Sequence, residues 1–293
     1  MARAKITFSF YIIGLIWFCQ LNIITLEKFS LLQAAETAYP SSSPNVSYEE
    51  ILELPYRTSD YRIGYGEDPL QFGRLWLPNS GDNGTVIFIH GGCWMNEYGI
   101  NHTQAFSTAL ASEGYAVWSV EYRRAGDTGG GWPGTFKDVI SGINKLTDLE
   151  SFGLDMGSIA LIGHSAGGHL AVLAGSRSEL LDVKPSLVLG LAAITDVITY
   201  AEGQGSCPEA AATFMGGYPE ELPEAFEEVQ SVNFGVNSHT VLLYGVIDEI
   251  VPSSQAILPG ASALRHESAG HFDWIHPGTD AFKEILSILS KEL

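Results

Sequence analysis

Three side chains spaced far apart along this chain have the chemistry of a nucleophilic relay. Ser165 stands in Gly163-His164-Ser165-Ala166-Gly167-Gly168, directly after an apolar run and directly before an Ala/Gly-rich stretch. G-x-S-x-G between a strand and a helix is a sharp turn that lifts the serine hydroxyl above a sheet. The turn needs small neighbours two residues on either side, and Gly163 and Gly167 provide them. It also aims a helix N-terminus at the reacting atoms. A serine hydroxyl is a poor nucleophile until an imidazole takes its proton and a carboxylate orients that imidazole. Asp248, in Gly245-Val246-Ile247-Asp248, and His271, in Ala269-Gly270-His271-Phe272, can fill those roles in the order Ser, Asp, His. Asp248 follows the serine by 83 residues, room for two strand–helix units. His271 follows 23 residues later, room for one helix and a final strand near Ala261 to His266.

Attack on an acyl carbon creates an oxyanion, which needs backbone N–H donors set around it in advance. His90-Gly91-Gly92-Cys93-Trp94 follows the apolar run Thr85 to Ile89. Its glycines allow the close backbone approach that such a turn requires. The expected donors are Gly92 and Cys93, with Ala166 after the nucleophile. Cys93 is thereby given a backbone role, and His90 the task of bracing its loop. His164 and His169 flank the serine in sequence, where a base points the wrong way, and read as packing residues. His266 belongs to the last strand and His276 lies past the loop. Asp196 is the best alternative acid, and Glu249 and Asp273 are carboxylates adjacent to the expected pair.

The elements that must position these groups are legible as short Val/Ile/Leu-rich runs without strict alternation, as in strands covered on both faces. They are Gly73 to Leu77, Thr85 to His90, Tyr115 to Tyr122, Ser158 to Gly163, Leu187 to Ile194 and Thr240 to Gly245. Helical stretches separate or follow them: Thr103 to Glu113, Gly134 to Leu149, Gly167 to Ser176, Pro223 to Val229 and Thr279 to Leu289. Alternation of this kind predicts an α/β fold, a mainly parallel sheet between helical layers. Residues 200–233, rich in Gly, Pro and Glu, interrupt the rhythm and read as a small cap. Arg123 and Arg124 read as ties at the end of a strand, before a helix opened by Pro133.

The 293 residues carry 34 acidic and 15 basic side chains, a net charge of −19. Such a surface repels phosphate backbones and excludes general nucleic-acid binding as a partner class. Between Lys184 and Arg265 there is no Lys or Arg, yet many Asp and Glu. That stretch reads as a solvated acidic surface, or more sharply as an acidic rim that disfavours anionic substrates. No His, Cys or carboxylate cluster has metal-ligand spacing, and no Walker or G-x-G-x-x-G loop occurs, so no cofactor or metal is expected.

Arg3 and Lys5 precede an apolar run from Ile6 to Leu26. A basic flank before such a run is an export signal, either a cleaved signal peptide or a signal anchor. Both place the body outside the cytoplasm, secreted or membrane-anchored, with membrane attachment only through this segment. The expected division is residues 1–40 as signal, 41–55 as linker and 56–293 as one catalytic domain. Three N-x-[ST] triplets, at Asn45, Asn83 and Asn101, fit an exported chain. Three cysteines are too few for a disulfide framework, and nothing in the sequence pairs Cys93 with Cys207.

With these motifs in place the chain, from about Tyr56 to its C-terminus, resembles the α/β-hydrolase superfamily. The H-G-G-x-W loop and the G-H-S-A-G-G-H-L-A elbow are similar to the kynurenine formamidase and carboxylesterase branch. Hormone-sensitive-lipase relatives are similar too, but usually carry Asp where this chain has His164 and a third Gly where it has Cys93. The resemblance implies a sheet of about eight strands, with Ser165 as nucleophile, Asp248 and His271 as its partners, and donors in the HGGCW loop. The expected activity is hydrolysis of small carboxylic esters or aryl formamides through an acyl-enzyme. Kynurenine formamidase proper, an exopeptidase-like hydrolase and a non-catalytic binding module on the same fold are the alternatives.

Overall fold

The computed structural model describes residues 37–237 and 239–293. The expected export segment therefore lies outside the described residues, apart from its last four positions.

Eight strands form one sheet: β1 (Tyr61–Gly64), β2 (Phe72–Trp76), β3 (Thr85–Ile89), β4 (Ala116–Val120), β5 (Ile159–His164), β6 (Leu187–Leu191), β7 (Thr240–Gly245) and β8 (Ser262–His266). Their order across the sheet is β1-β2-β4-β3-β5-β6-β7-β8. The β1–β2 and β2–β4 pairs are antiparallel, and every later pair is parallel. This is the α/β fold expected from the alternation of runs, with every expected strand present to within a few residues. β1 is the exception, with no apolar run to announce it. It is an edge strand of sequence YRIG with three of its four residues exposed, so no buried face marks it.

The sheet is apolar on both sides, which explains the missing alternation. In β3, Ile87 and Ile89 enter one core while Val86 and Phe88 enter the other. The first core is completed by α3 (Gly134–Asn144), through Phe136, Val139 and Ile143, and by α4 (Ala166–Ser176). The second is completed by α2 (Gln104–Ser112), through Phe106 and Leu110, and by α8 (Asp280–Glu292), through Phe282, Ile285 and Leu289. Every residue of α4 is buried. Its Ala/Gly composition follows from crowding: a Cβ on Gly168 would press on Ala193 and one on Gly175 on Val188.

The expectation of a linker over 41–55 is corrected. Residues 48–52 form helix α1 (Tyr48–Leu52), started by a reciprocal capping box between Ser47 and Glu50. Val46, Ile51 and Leu54 are buried in the second core. Ser41 to Pro44 does have linker composition, but the apolar residues just after it are spaced for burial, which the composition of the stretch hides. Residues 197–228 fold into three short helices, α5 (Val197–Ala201), α6 (Ser206–Met215) and α7 (Pro223–Glu228). Phe214 and Met215 of α6 and Phe226 of α7 anchor them in the first core.

Candidate active site

Parallel strands put their C-terminal ends on one edge, so the loops after β3, β5, β7 and β8 converge there. Each loop carries one of the expected motifs. The elbow after β5 has Ser165 at φ 57°, ψ −122°, a positive φ that is strained for a residue with a Cβ. Two backbone bonds hold it: the Ser165 N–H donates to the Leu191 carbonyl at 2.8 Å, and the His169 N–H donates to the Ser165 carbonyl at 3.0 Å. The flanking glycines are obligatory. A Cβ on Gly163 would fall on the Gly167 carbonyl, and one on Gly167 on the Ile89 and His90 carbonyls.

The loops after β7 and β8 are bonded to each other before their side chains meet. The Val246 N–H donates to the His266 carbonyl at 3.0 Å and the Ile247 N–H to the Ala269 carbonyl at 3.3 Å. On that frame, His271 Nδ1 lies 2.9 Å from Asp248 Oδ2. Both side chains are nearly inaccessible, 5% and 2% exposed, so the pair is shielded from solvent screening. Asp248 Oδ1 accepts from the Ile250 and Val251 N–H groups, each at 2.8 Å. The carboxylate is thereby fixed at both oxygens. With Nδ1–H committed to Asp248, the other ring nitrogen of His271 is left for a proton.

Ser165 and His271 line one cavity of about 440 Å³. Among the described residues no hydrogen bond joins the Ser165 hydroxyl to the His271 ring; such contacts are commonly loose without substrate. Gly92 and Cys93 line the same cavity. Three successive residues of the HGGCW turn are left-handed, Gly92 at φ 119°, Cys93 at φ 50° and Trp94 at φ 58°. Among the described residues the N–H groups of Gly92, Cys93 and Ala166 donate to no protein acceptor. All the expected site residues thus sit at one edge, and Asp196 does not join them. It caps α5 instead, accepting from the Thr199 N–H and hydroxyl and the Gln230 amide.

The other histidines have the supporting roles read from sequence, with identifiable partners. His90 stands between Glu121 Oε1 and the Gly91 carbonyl, each 2.8 Å away, and stacks on Tyr122 at 4.4 Å. Burial alone raises the Glu121 carboxyl, but the His90 charge and hydrogen bond, with Arg124 and the Ile100 N–H, outweigh it and bring it down to about 2. His169 donates from Nε2 to the Val229 carbonyl and accepts at Nδ1 from the Trp94 indole at 3.2 Å. Both contacts require a neutral ring, and burial lowers it to about 4. Burial, reinforced by His271, likewise holds His164 well below its ordinary range. His164 Nε2 donates to the His271 carbonyl at 2.9 Å, tying the elbow to the loop that carries His271, while its buried Nδ1 has no partner among the described residues.

Sequence reasoning missed several contributors. Asp273 accepts from the N–H groups of Val46 at 2.9 Å, Gly270 at 3.1 Å and Asn45 at 3.2 Å, clamping the segment at Asn45 and Val46 to the loop that carries His271. Tyr48, Tyr98 and Phe272 supply aromatic cavity wall, with Tyr48 5.6 Å from Tyr98 and 5.5 Å from Phe272. Nothing local in sequence announces these contacts, which join elements remote along the chain. Cys93 is bonded to Cys207 of α6 across a sequence separation of 114. The backbone role given to Cys93 thus needs its thiol role added. Two carboxylates, Glu49 and Glu249, line the cavity, and among the described residues no Lys or Arg does. Among the described residues no group of three His, Cys, Asp or Glu side chains is disposed to hold a metal ion.

Comparison with known proteins agrees with this architecture. The BD-FAE family profile matches residues 75–259. The chain is 34% identical over 214 residues to Esterase LipC of Mycobacterium tuberculosis, covering 67% of this chain and 52% of that protein. It is 26% identical over 174 residues to a kynurenine formamidase of Meyerozyma guilliermondii, covering 59% of this chain and 63% of that protein. It therefore spans about half of the first relative and under two thirds of the second. Among solved structures, esterase B from Lactobacillus rhamnosis superposes with a TM-score of 0.65 at 21% identity, covering 81% of this chain and 89% of that one. The chain belongs to the BD-FAE family and has the α/β-hydrolase fold.

Proposed function

We propose that this protein is a serine hydrolase of small carboxylic esters. In this reading His271 takes the proton of Ser165, the alkoxide attacks the acyl carbon, and Gly92, Cys93 and Ala166 donate N–H groups to the oxyanion. The imidazolium, balanced by Asp248, returns the proton to the leaving alcohol. Water then repeats the sequence to free the acid. The observation that carries the reading is the buried 2.9 Å contact between His271 and Asp248 beside a cavity shared with a strained Ser165. The esterase and formamidase relatives support the same class. Glu49 and Glu249, with no opposing cation among the described residues, favour neutral acyl and leaving groups over anionic ones.

The reading includes export of the body. The Cys93–Cys207 bond supports it, because disulfides persist in oxidising compartments. An ester panel including p-nitrophenyl acetate, with N-formylkynurenine beside it, separates ester from formamide preference. Ser165→Ala should abolish turnover of p-nitrophenyl acetate above background, and wild-type turnover by that variant would overturn the assignment.

A further inference from the structure

Cys93 occupies an unusual position for a donor to developing charge. Its φ of 50° lies between two other left-handed residues, an arrangement that costs energy unless its surroundings impose it. The residues on either side are firmly held. The His90 carbonyl accepts from the Tyr122 hydroxyl at 2.7 Å, and the Gly92 carbonyl from the Met95 N–H at 2.9 Å. The Trp94 carbonyl accepts from the Ala125 N–H at 2.9 Å, and its indole stacks on Phe214 at 5.1 Å. Cys93 itself enters no hydrogen bond among the described residues. It is tied to Cys207 by the sulfur bridge, with Cα atoms 5.1 Å apart.

The other end of the bridge lies at the start of a helix in the cavity wall. Cys207 is the second residue of α6, whose first turn has no side-chain cap and follows Gly205 at φ 114°. Residues 202–206 are exposed, and Gln204 to Pro208 form one wall of the cavity. The buried residues of α6 are Pro208, directly after Cys207, and then Ala210, Ala211, Phe214 and Met215.

We propose that the Cys93–Cys207 bridge is a positioning device for the reaction, fixing the Cys93 N–H toward the oxyanion and the start of α6 as the cavity wall. The inference rests on the serine-hydrolase reading. A dithiol such as dithiothreitol breaks the bridge by exchange: it closes its own disulfide and leaves Cys93 and Cys207 as thiols, two electrons and two protons passing to the protein. The Cys93 donor then loses its restraint without being deleted. Removing an oxyanion donor outright costs ~10²–10³ in rate, so loosening one should cost about tenfold in kcat. A donor that acts mainly on the transition state changes KM little.

The test measures kcat and KM for p-nitrophenyl acetate well below the unfolding temperature, with the folded fraction checked by near-ultraviolet circular dichroism. Wild type before and after dithiothreitol is compared with Cys93→Ser, Cys207→Ser and the double variant. Expected are an about tenfold lower kcat in all four broken-bridge forms, nearly constant KM, recovery on reoxidation of the wild type, and no response of Cys207→Ser to reductant. That last arm removes any contribution from Cys19. The double variant should be no worse than either single one, since both substitutions break one unit. A kcat within twofold of oxidised wild type in folded, bridge-free protein overturns the proposal, even if the unfolding temperature falls. Ser165→Ala measured alongside separates the two failures: retained turnover there sinks the hydrolase reading itself.

Discussion

Asp248 divides its two oxygens between two tasks. Oδ1 closes the turn through the Ile250 and Val251 N–H groups, and Oδ2 faces His271 Nδ1. An Asp248→Asn substitution keeps the first task if its amide oxygen takes the Oδ1 place, but then sets an NH2 group against the histidine N–H. The ring must turn or change tautomer, so the base faces the serine wrongly. Turnover should fall by ~10⁴ with little loss of stability, the scale known for this change in a serine-protease triad. Parallel assays and thermal melts of the variant check this, and a near-normal kcat would show that Asp248 does not orient the base. At this scale the sequence was most informative. The meeting of Ser165, Asp248 and His271 at one sheet edge was legible because their motifs are local and follow the strands that end there. The Asp273 clamp and the Cys93–Cys207 bridge were not, because each joins residues more than a hundred positions apart without a local signature.

Among the elements, the segment before β1 matters most for the site. Val46 and Ile51 are buried, and the segment is held at its start by Asp273, two residues beyond His271. Tyr48 of α1 brings this segment to the cavity wall. Replacing Asp273 by Ala leaves the Val46 and Gly270 N–H groups without their carboxylate, a loss of about 3 kcal/mol at ~1–3 kcal/mol per buried orphaned group. The Asp273→Ala variant should therefore unfold at lower denaturant and also turn over ester more slowly, because the loop carrying His271 loses its brace. Denaturant unfolding and ester kinetics on one preparation check this; unchanged stability would mean that the clamp is redundant. Strands β2 to β7 were readable because burial on both faces leaves continuous apolar runs, whereas edge strand β8, with four of its five residues exposed, was placed only by the room between Asp248 and His271. Edge strand β1 and helix α1 were not: the first buries nothing continuous, and the second is five residues long, too short to show a period.

Over the whole molecule, burial creates a dependence on pH separate from catalysis. His102, His164 and His169 are all held below the ordinary histidine value of 6.5, chiefly by desolvation; His102 is lowered to about 3 and His169 to about 4. The unfolded chain takes up protons below pH 6.5 that the folded body refuses. These groups therefore stabilise the fold fully above 6.5, and that contribution is lost as pH falls toward their folded values. Each such group adds a slope of ~1.4 kcal/mol per pH unit while it titrates only in the unfolded chain. Glu121, lowered from 4.5 to about 2, extends the loss to still lower pH by the same sign. Urea midpoints should drop steadily between pH 7 and pH 5, and a flat profile there would contradict neutral buried rings. The net charge of −19 was readable from composition, but which histidines are sealed from water depends on how the loops close over them.

The most direct measurement is covalent. A fluorophosphonate should react with the folded protein at one equivalent, and peptide mapping should place the adduct on Ser165, with labelling lost in Ser165→Ala and strongly slowed in His271→Ala. A folded wild-type protein that takes up no phosphonate, or carries it on another residue, would contradict the account.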